Sequence, residues 1–246
     1  MNMDELKFEI FDDNKESYII GDLLNMPYFF ENWPNTPHSG EYMYSLFKKT
    51  ATQYEANILG IYDKSRTDES EPIPNIKRLR DSVDTYIKNN IDCNKKLQKI
   101  IEICEEKDTL FVHLRSGDKG IVNPMFLDKI EELSKYYNKI IILCGIHQNA
   151  DRSHYFPNVE ESKNNMNSSL NMLLSKNLNV IIDLNEPDIH LSAMRRAKNL
   201  LVHMGGYSIL GSLLFNGNNL YITSQFTPLE RNNTELFTYI DNYTII

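Results

Sequence analysis

From Thr109 onward, short apolar runs alternate with amphipathic stretches. Thr109–Arg115 (TLFVHLR), Lys139–Ile146 (KIIILCGI), Asn179–Leu184 (NVIIDL), Asn199–Met204 (NLLVHM) and Asn219–Thr223 (NLYIT) read as five strands. Their unbroken apolar runs fit strands covered on both faces. Between them lie stretches at helical spacing: Pro124–Tyr137, Ser162–Lys176, Pro187–Ala197 and Gly206–Phe215. Proline near the start of the first is a helix-start signal. Strand and helix in strict alternation predict an α/β fold with a doubly wound, Rossmann-like parallel sheet. If the five strands lie in the order 3-2-1-4-5, the first and fourth are neighbours at the switch point. His113–Lys119 and His203–Ser208 would then lie side by side. The tail after Thr223 is polar and predicts no clear element.

The first part of the chain is less regular. Lys7–Phe11 and Tyr18–Ile20 are candidate short strands, and Gly21–Pro37 (GDLLNMPYFFENWPNTP) reads as an aromatic-rich loop. Helical spacing recurs over Glu41–Tyr54, Asn75–Asn89 and Lys95–Glu106, with a break at Glu69–Pro74. The expected division is residues 1–108 as a smaller, irregular α/β region and residues 109–246 as the sheet domain.

Composition narrows the function classes. The chain has 246 residues and a formal net charge of −8, which argues against a broad nucleic-acid surface. Three scattered cysteines, Cys93, Cys104 and Cys144, form no CxxC pair and predict reduced thiols in a cytoplasmic setting. The acidic start MNMDELKFEI has no apolar signal core, and no apolar run reaches membrane-spanning length. The sequons at Asn167, Asn232 and Asn242 are read as chance matches in an asparagine-rich chain. No HExxH or paired-cysteine spacing suggests a metal, and no GxSxG elbow suggests a hydrolase.

The candidate chemistry gathers at strand ends. His113 and Arg115 are two apart, so on an extended chain they point the same way. Gly117 permits a sharp turn just after them. Arg115 can grip a phosphate with paired hydrogen bonds, oriented by Asp118, or the two can form a structural ion pair. Gly205-Gly206-Tyr207-Ser208 lies between a strand and a helix start, where backbone N–H groups favour an anion. Ser208 can donate to such an anion or cap the helix. Asp183 and Asp188 flank the third strand's end, either as ribose or base ligands or as a loop aspartate and a helix-start charge. His147 and His154 read as ordinary polar residues, and Arg195-Arg196 as a solvated helix face with one member able to reach the cleft.

His113-Leu-Arg115-Ser-Gly117-Asp118 resembles the HxRRGD motif of α1,2-fucosyltransferases and the wider GT-B fucosyltransferase-like group. Asp188 to Val202, followed by Gly205-Gly206-Tyr207-Ser208, is similar to that group's later run of aspartate, short helix, buried strand and serine-containing helix start. The likeness covers about Thr109 to Thr223. It implies a GT-B-like architecture and transfer of a sugar, fucose first, from a nucleoside-diphosphate donor to a glycan hydroxyl. It further implies that Arg115 holds the diphosphate, that His113 lies in the donor site and that Ser208 takes the place of the phosphate-side serine. No metal or other cofactor is expected, and the group typically inverts the anomeric centre. Two departures stand out: Ser116 replaces the second arginine, and Cys144-Gly145-Ile146-His147 replaces an acidic pair. A UDP-sugar donor or a non-catalytic nucleotide- or glycan-binding module are the alternatives. The general base is expected from residues 1–108, with Glu31 and His38 favoured over Asp12 and Asp22. Tyr28, Phe29, Phe30 and Trp33 can stack on a sugar or pack a small core.

Overall fold

The computed structural model describes residues 10–11, 73–116, 120–147, 159–225, 240 and 242–246. The strands are β1 (Ile10–Phe11), β2 (Thr109–His113), β3 (Lys139–Leu143), β4 (Ile146–His147), β5 (Val180–Asp183), β6 (Asn199–Val202), β7 (Asn219–Ile222) and β8 (Tyr243–Ile245). The helices are α1 (Ile73–Asn90), α2 (Lys95–Cys104), α3 (Pro124–Leu133), α4 (Val159–Leu174), α5 (Pro187–Arg196) and α6 (Gly206–Leu214). Six strands form one parallel sheet in the order β5-β3-β2-β6-β7-β8. The first five follow the 3-2-1-4-5 order, which makes β2 and β6 neighbours.

Two apolar layers sandwich the sheet. On one face, Phe111, Ile141, Leu143, Leu200, Val202, Leu220 and Ile222 pack under α1, α2, α5 and α6. On the other, Leu110, Val112, Ile140, Ile142 and Leu201 pack under α3 and α4. Alternation along each strand sends successive residues to opposite layers, so both must be apolar. That is why the strands lack a polar face in sequence. Val83, Ile87, Leu97, Ile100 and Cys104 put α1 and α2 into the first layer. The 108/109 junction thus lies between α2 and β2, and elements on both sides of it share one core.

Side chains finish the helix ends. Asn94 caps α2 by accepting from the Lys96 and Leu97 amides, and Asn123 caps α3 through the Met125 amide. The carboxyl end of α6 is held by two arginines. Arg80 donates to the carbonyls of Leu213 and Phe215, and Arg195 donates to that of Leu214 while pairing with Asp84 at 2.6 Å. Cations suit this end of a helix, whose last carbonyls lack intrahelical partners. Arg195 is therefore committed to α1 and α6 and not to the cleft, while Arg196 is exposed.

The structure corrects two expectations. The tail is not featureless: β8 adds a sixth strand beside β7. Its three residues, Tyr243, Thr244 and Ile245, are all exposed, so backbone pairing with β7 and not apolar burial holds it. The long second strand is split, with β3 ending at Leu143 and β4 pairing instead with β1. The expected elements at Tyr18–Ile20 and Glu41–Tyr54 lie outside the described residues.

Candidate functional site

The carboxyl end of β2 meets the start of α6. His113 closes the strand, buried, and its Nδ1 shares a 2.7 Å hydrogen bond with the Ser208 hydroxyl. Two residues on, Arg115 lies across Gly205. A Cβ at Gly205 would stand 2.4 Å from Arg115 Nη1 and 3.0 Å from its Cδ. Gly205 also takes φ 83° and ψ 174°, a region essentially reserved for glycine. Glycine is thus required there twice, for backbone conformation and for the passage of the guanidinium. Gly205 is the N-cap of α6 and, being glycine, brings no side-chain cap of its own.

Tyr207 extends the cluster toward α5. Its ring lies 5.2 Å from that of His113, and its hydroxyl donates to the Pro187 carbonyl. Pro187 opens α5, so the tie brings Asp188, buried in the first turn, to the same edge. Ser208 does not cap α6. It is wholly buried, and its hydroxyl runs sideways to His113.

Asp183 sits apart from these groups at the end of β5, with β3 between its strand and β2. One of its oxygens accepts from His190 Nε2 at 2.7 Å, and the other from Asn185 Nδ2 at 2.8 Å. Burial pushes its carboxyl pKa up, but the His190 and Asn185 hydrogen bonds outweigh that and hold it below the usual value. Both oxygens are occupied in fastening the β5–α5 connection. The loop-aspartate alternative describes Asp183, and it does not join Arg115.

Ser116, where the resembled group carries a second arginine, anchors the next turn. Its hydroxyl donates to the Gly120 carbonyl at 2.9 Å and meets the Ser169 hydroxyl at 2.7 Å. Ser169 also receives the Val122 amide, so the two ends of the turn are clipped to α4. Gly117, Asp118, Glu31, His38, Asp12, Asp22, His154, Tyr28, Phe29, Phe30 and Trp33 lie outside the described residues.

One neighbour of Arg115 was not singled out by sequence reasoning. His203 follows β6, stacks on Phe126 with centroids 4.1 Å apart, and sets Nδ1 3.0 Å from the Arg115 carbonyl and 3.3 Å from its N–H. Burial, aided by the Arg115 charge, pushes its pKa down to about 4 against the opposing pull of its hydrogen bonds. The ring is neutral at pH 7 beside a cation. Its sequence signal is a histidine ending a buried strand just before Gly-Gly, which parallels His113 before its own turn.

Chemically, the cluster offers a cation over a glycine, a helix start and a buried histidine–serine pair. Among the described residues, no group of three or more His, Cys, Asp or Glu is placed to hold a metal ion. Among the same residues, no helix is long and apolar enough to cross a membrane. No family model matches the chain, and no curated protein or solved structure matches it.

Proposed function

We propose that the chain is a glycosyltransferase that moves a sugar from a nucleoside-diphosphate donor to a glycan hydroxyl. The observation that carries this reading is the Arg115 guanidinium lying across Gly205 at the start of α6. In sugar transfer, negative charge builds on the departing diphosphate. A planar guanidinium and the first amides of a helix are donors suited to that charge where it develops. Together they can do the work that a divalent cation does elsewhere, so transfer is expected to proceed in a chelator.

His113 would contribute indirectly in this reading. Its bond to Ser208 fixes the first turn of α6 against β2, which sets the direction of the helix amides. The general base, needed to take the proton from the acceptor hydroxyl, is assigned to Glu31 or His38, and the outcome is inversion at the anomeric carbon. Fucose remains the first choice of sugar. Ser116 favours widening the choice of donor base, because its hydroxyl is spent on Ser169 and Gly120 where the resembled group has an arginine. A UDP-sugar donor is therefore tested alongside GDP-fucose.

The test is thermal shift against GDP, UDP, CDP and their sugar conjugates in EDTA. A ligand at 100 times its dissociation constant adds about 2.7 kcal/mol to stability. One nucleotide is expected to raise Tm selectively, and Arg115→Ala to lose that rise while keeping the unliganded Tm. An unchanged rise in Arg115→Ala would remove the assigned role. Binding without release of free nucleotide from any conjugate would reduce the chain to a binding module.

A further inference from the structure

The connection from α6 to β7 carries the chain's one Asn-Gly pair, Asn216-Gly217. Both ends of this connection are pinned. Arg80 donates to the Phe215 carbonyl, and the amides of Asn218 and Asn219 both donate to the Lys198 carbonyl. Between the pins, the Asn216 side chain and the Gly217 N–H make no hydrogen bond among the described residues. Asn216 is exposed to water. Packing requires glycine at position 217, because a Cβ there would run into the carbonyl oxygens of Ala197 and Lys198. The fold thus keeps the least hindered residue directly after an exposed asparagine.

An asparagine side chain is short enough to reach the backbone amide that follows it. With no side chain on the next residue to obstruct it, that amide nitrogen can attack the asparagine Cγ. Other asparagines of the chain lack this combination. Asn167 precedes Ser168 inside α4, where the following amide belongs to the helix ladder. Asn123 precedes Pro124, whose nitrogen carries no hydrogen. Asn185 has its Nδ2 held by Asp183 at 2.8 Å.

We propose that Asn216 is a site of spontaneous deamidation, with the Gly217 amide as the nucleophile. The Gly217 nitrogen bonds to Asn216 Cγ, the Cγ–Nδ2 bond breaks, and the amide proton leaves with Nδ2 as ammonia. Water then opens the resulting succinimide. Opening at the main-chain carbonyl gives isoaspartate, and opening at Cγ gives aspartate. Either product adds one negative charge to a chain whose formal net charge is already −8. Isoaspartate also lengthens the main chain by one carbon between the Phe215 and Asn218 pins, so it is expected to weaken the docking of β7. The site stands whatever ligand Arg115 takes.

The test is to age the folded full chain in mildly alkaline buffer and map its peptides by mass spectrometry, with fragmentation that separates isoaspartate from aspartate. The expected result is a peptide heavier by one dalton at position 216 before any other asparagine changes, with isoaspartate among the products and a lower Tm in the modified fraction. Asn216→Gln should abolish that early gain, since its longer side chain would have to close a larger ring. Another asparagine reacting first would overturn the proposal. So would aspartate without isoaspartate at position 216, or a gain there that occurs in the urea-unfolded chain and not in the folded one.

Discussion

Gly205 shows how one residue can serve backbone and side chain together. Its φ of 83° with ψ 174° is strained for any residue with a Cβ, and that Cβ would press on Arg115 Nη1. Gly205→Ala is therefore expected to cost about 1–3 kcal/mol of stability. It should also displace the guanidinium. Paired measurements of unliganded Tm and nucleotide-induced shift would find both reduced, whereas Arg115→Ala loses only the second. His203 makes a different prediction. Its pKa falls from 6.5 in the unfolded chain to about 4 in the fold. The unfolded state thus binds more protons between those values, so stability is full above pH 6.5 and is lost as pH falls toward 4. The difference amounts to ~3 kcal/mol. His203→Phe should flatten that part of the stability–pH curve in urea titrations. Asp183, with its carboxyl also held down, weakens the fold only at still lower pH. At this scale the sequence was half legible. Glycines next to strand ends announce close approach, and the Arg115–Gly205 meeting follows. The partners of Ser208 and Asp183 depend on tertiary neighbours that spacing does not encode: Ser208 meets His113 instead of capping α6, and Asp183 is held within its loop.

At the scale of elements, α5 and α6 carry the argument. α5 is buried from Pro187 to Met194 and touches α1, α2 and α6. Arg195 leaves its last turn to hold the Asp84 carboxylate and the end of α6. Arg195→Met, which keeps the apolar stem, is expected to lower stability by ~2 kcal/mol, since the pair is only partly exposed and a helix carbonyl loses its donor. A lower urea midpoint at unchanged slope would register it. The strands of the central sheet were readable because burial on both faces leaves no polar positions. β8 was not, because Tyr243-Thr244-Ile245, though β-prone, is too short a run to stand out after a polar stretch. The break between β3 and β4 also escaped, since Cys144-Gly145-Ile146 continues the apolar run although the pairing partner changes.

For the whole molecule, burial sets reactivity. Cys104 in α2 and Cys144 after β3 are buried, and burial pushes both thiols up. Cys93, in the turn between α1 and α2, is exposed. A thiol reagent should therefore label the native chain at Cys93 alone, and all three cysteines only after unfolding. Mass spectrometry of the intact protein counts the labels, and early modification of Cys104 would mean that α2 opens independently of the sheet. The alternation of strand and helix was enough to predict a parallel sheet and the neighbours at its centre. It said nothing of how α1 and α2 would join the same core, because an amphipathic helix does not name the surface that it covers.

The order β5-β3-β2-β6-β7-β8 has a consequence for synthesis. As the chain leaves the ribosome, β3 lays itself beside β2 and β5 beside β3. β6 then takes the bare side of β2, and β7 and β8 follow outward. Each of these strands meets an open edge, and none has to be threaded between partners already joined. The sheet can therefore grow in the order in which it is translated, and the β2–β6 junction that carries Arg115 and Gly205 closes only when the fourth strand of the six arrives.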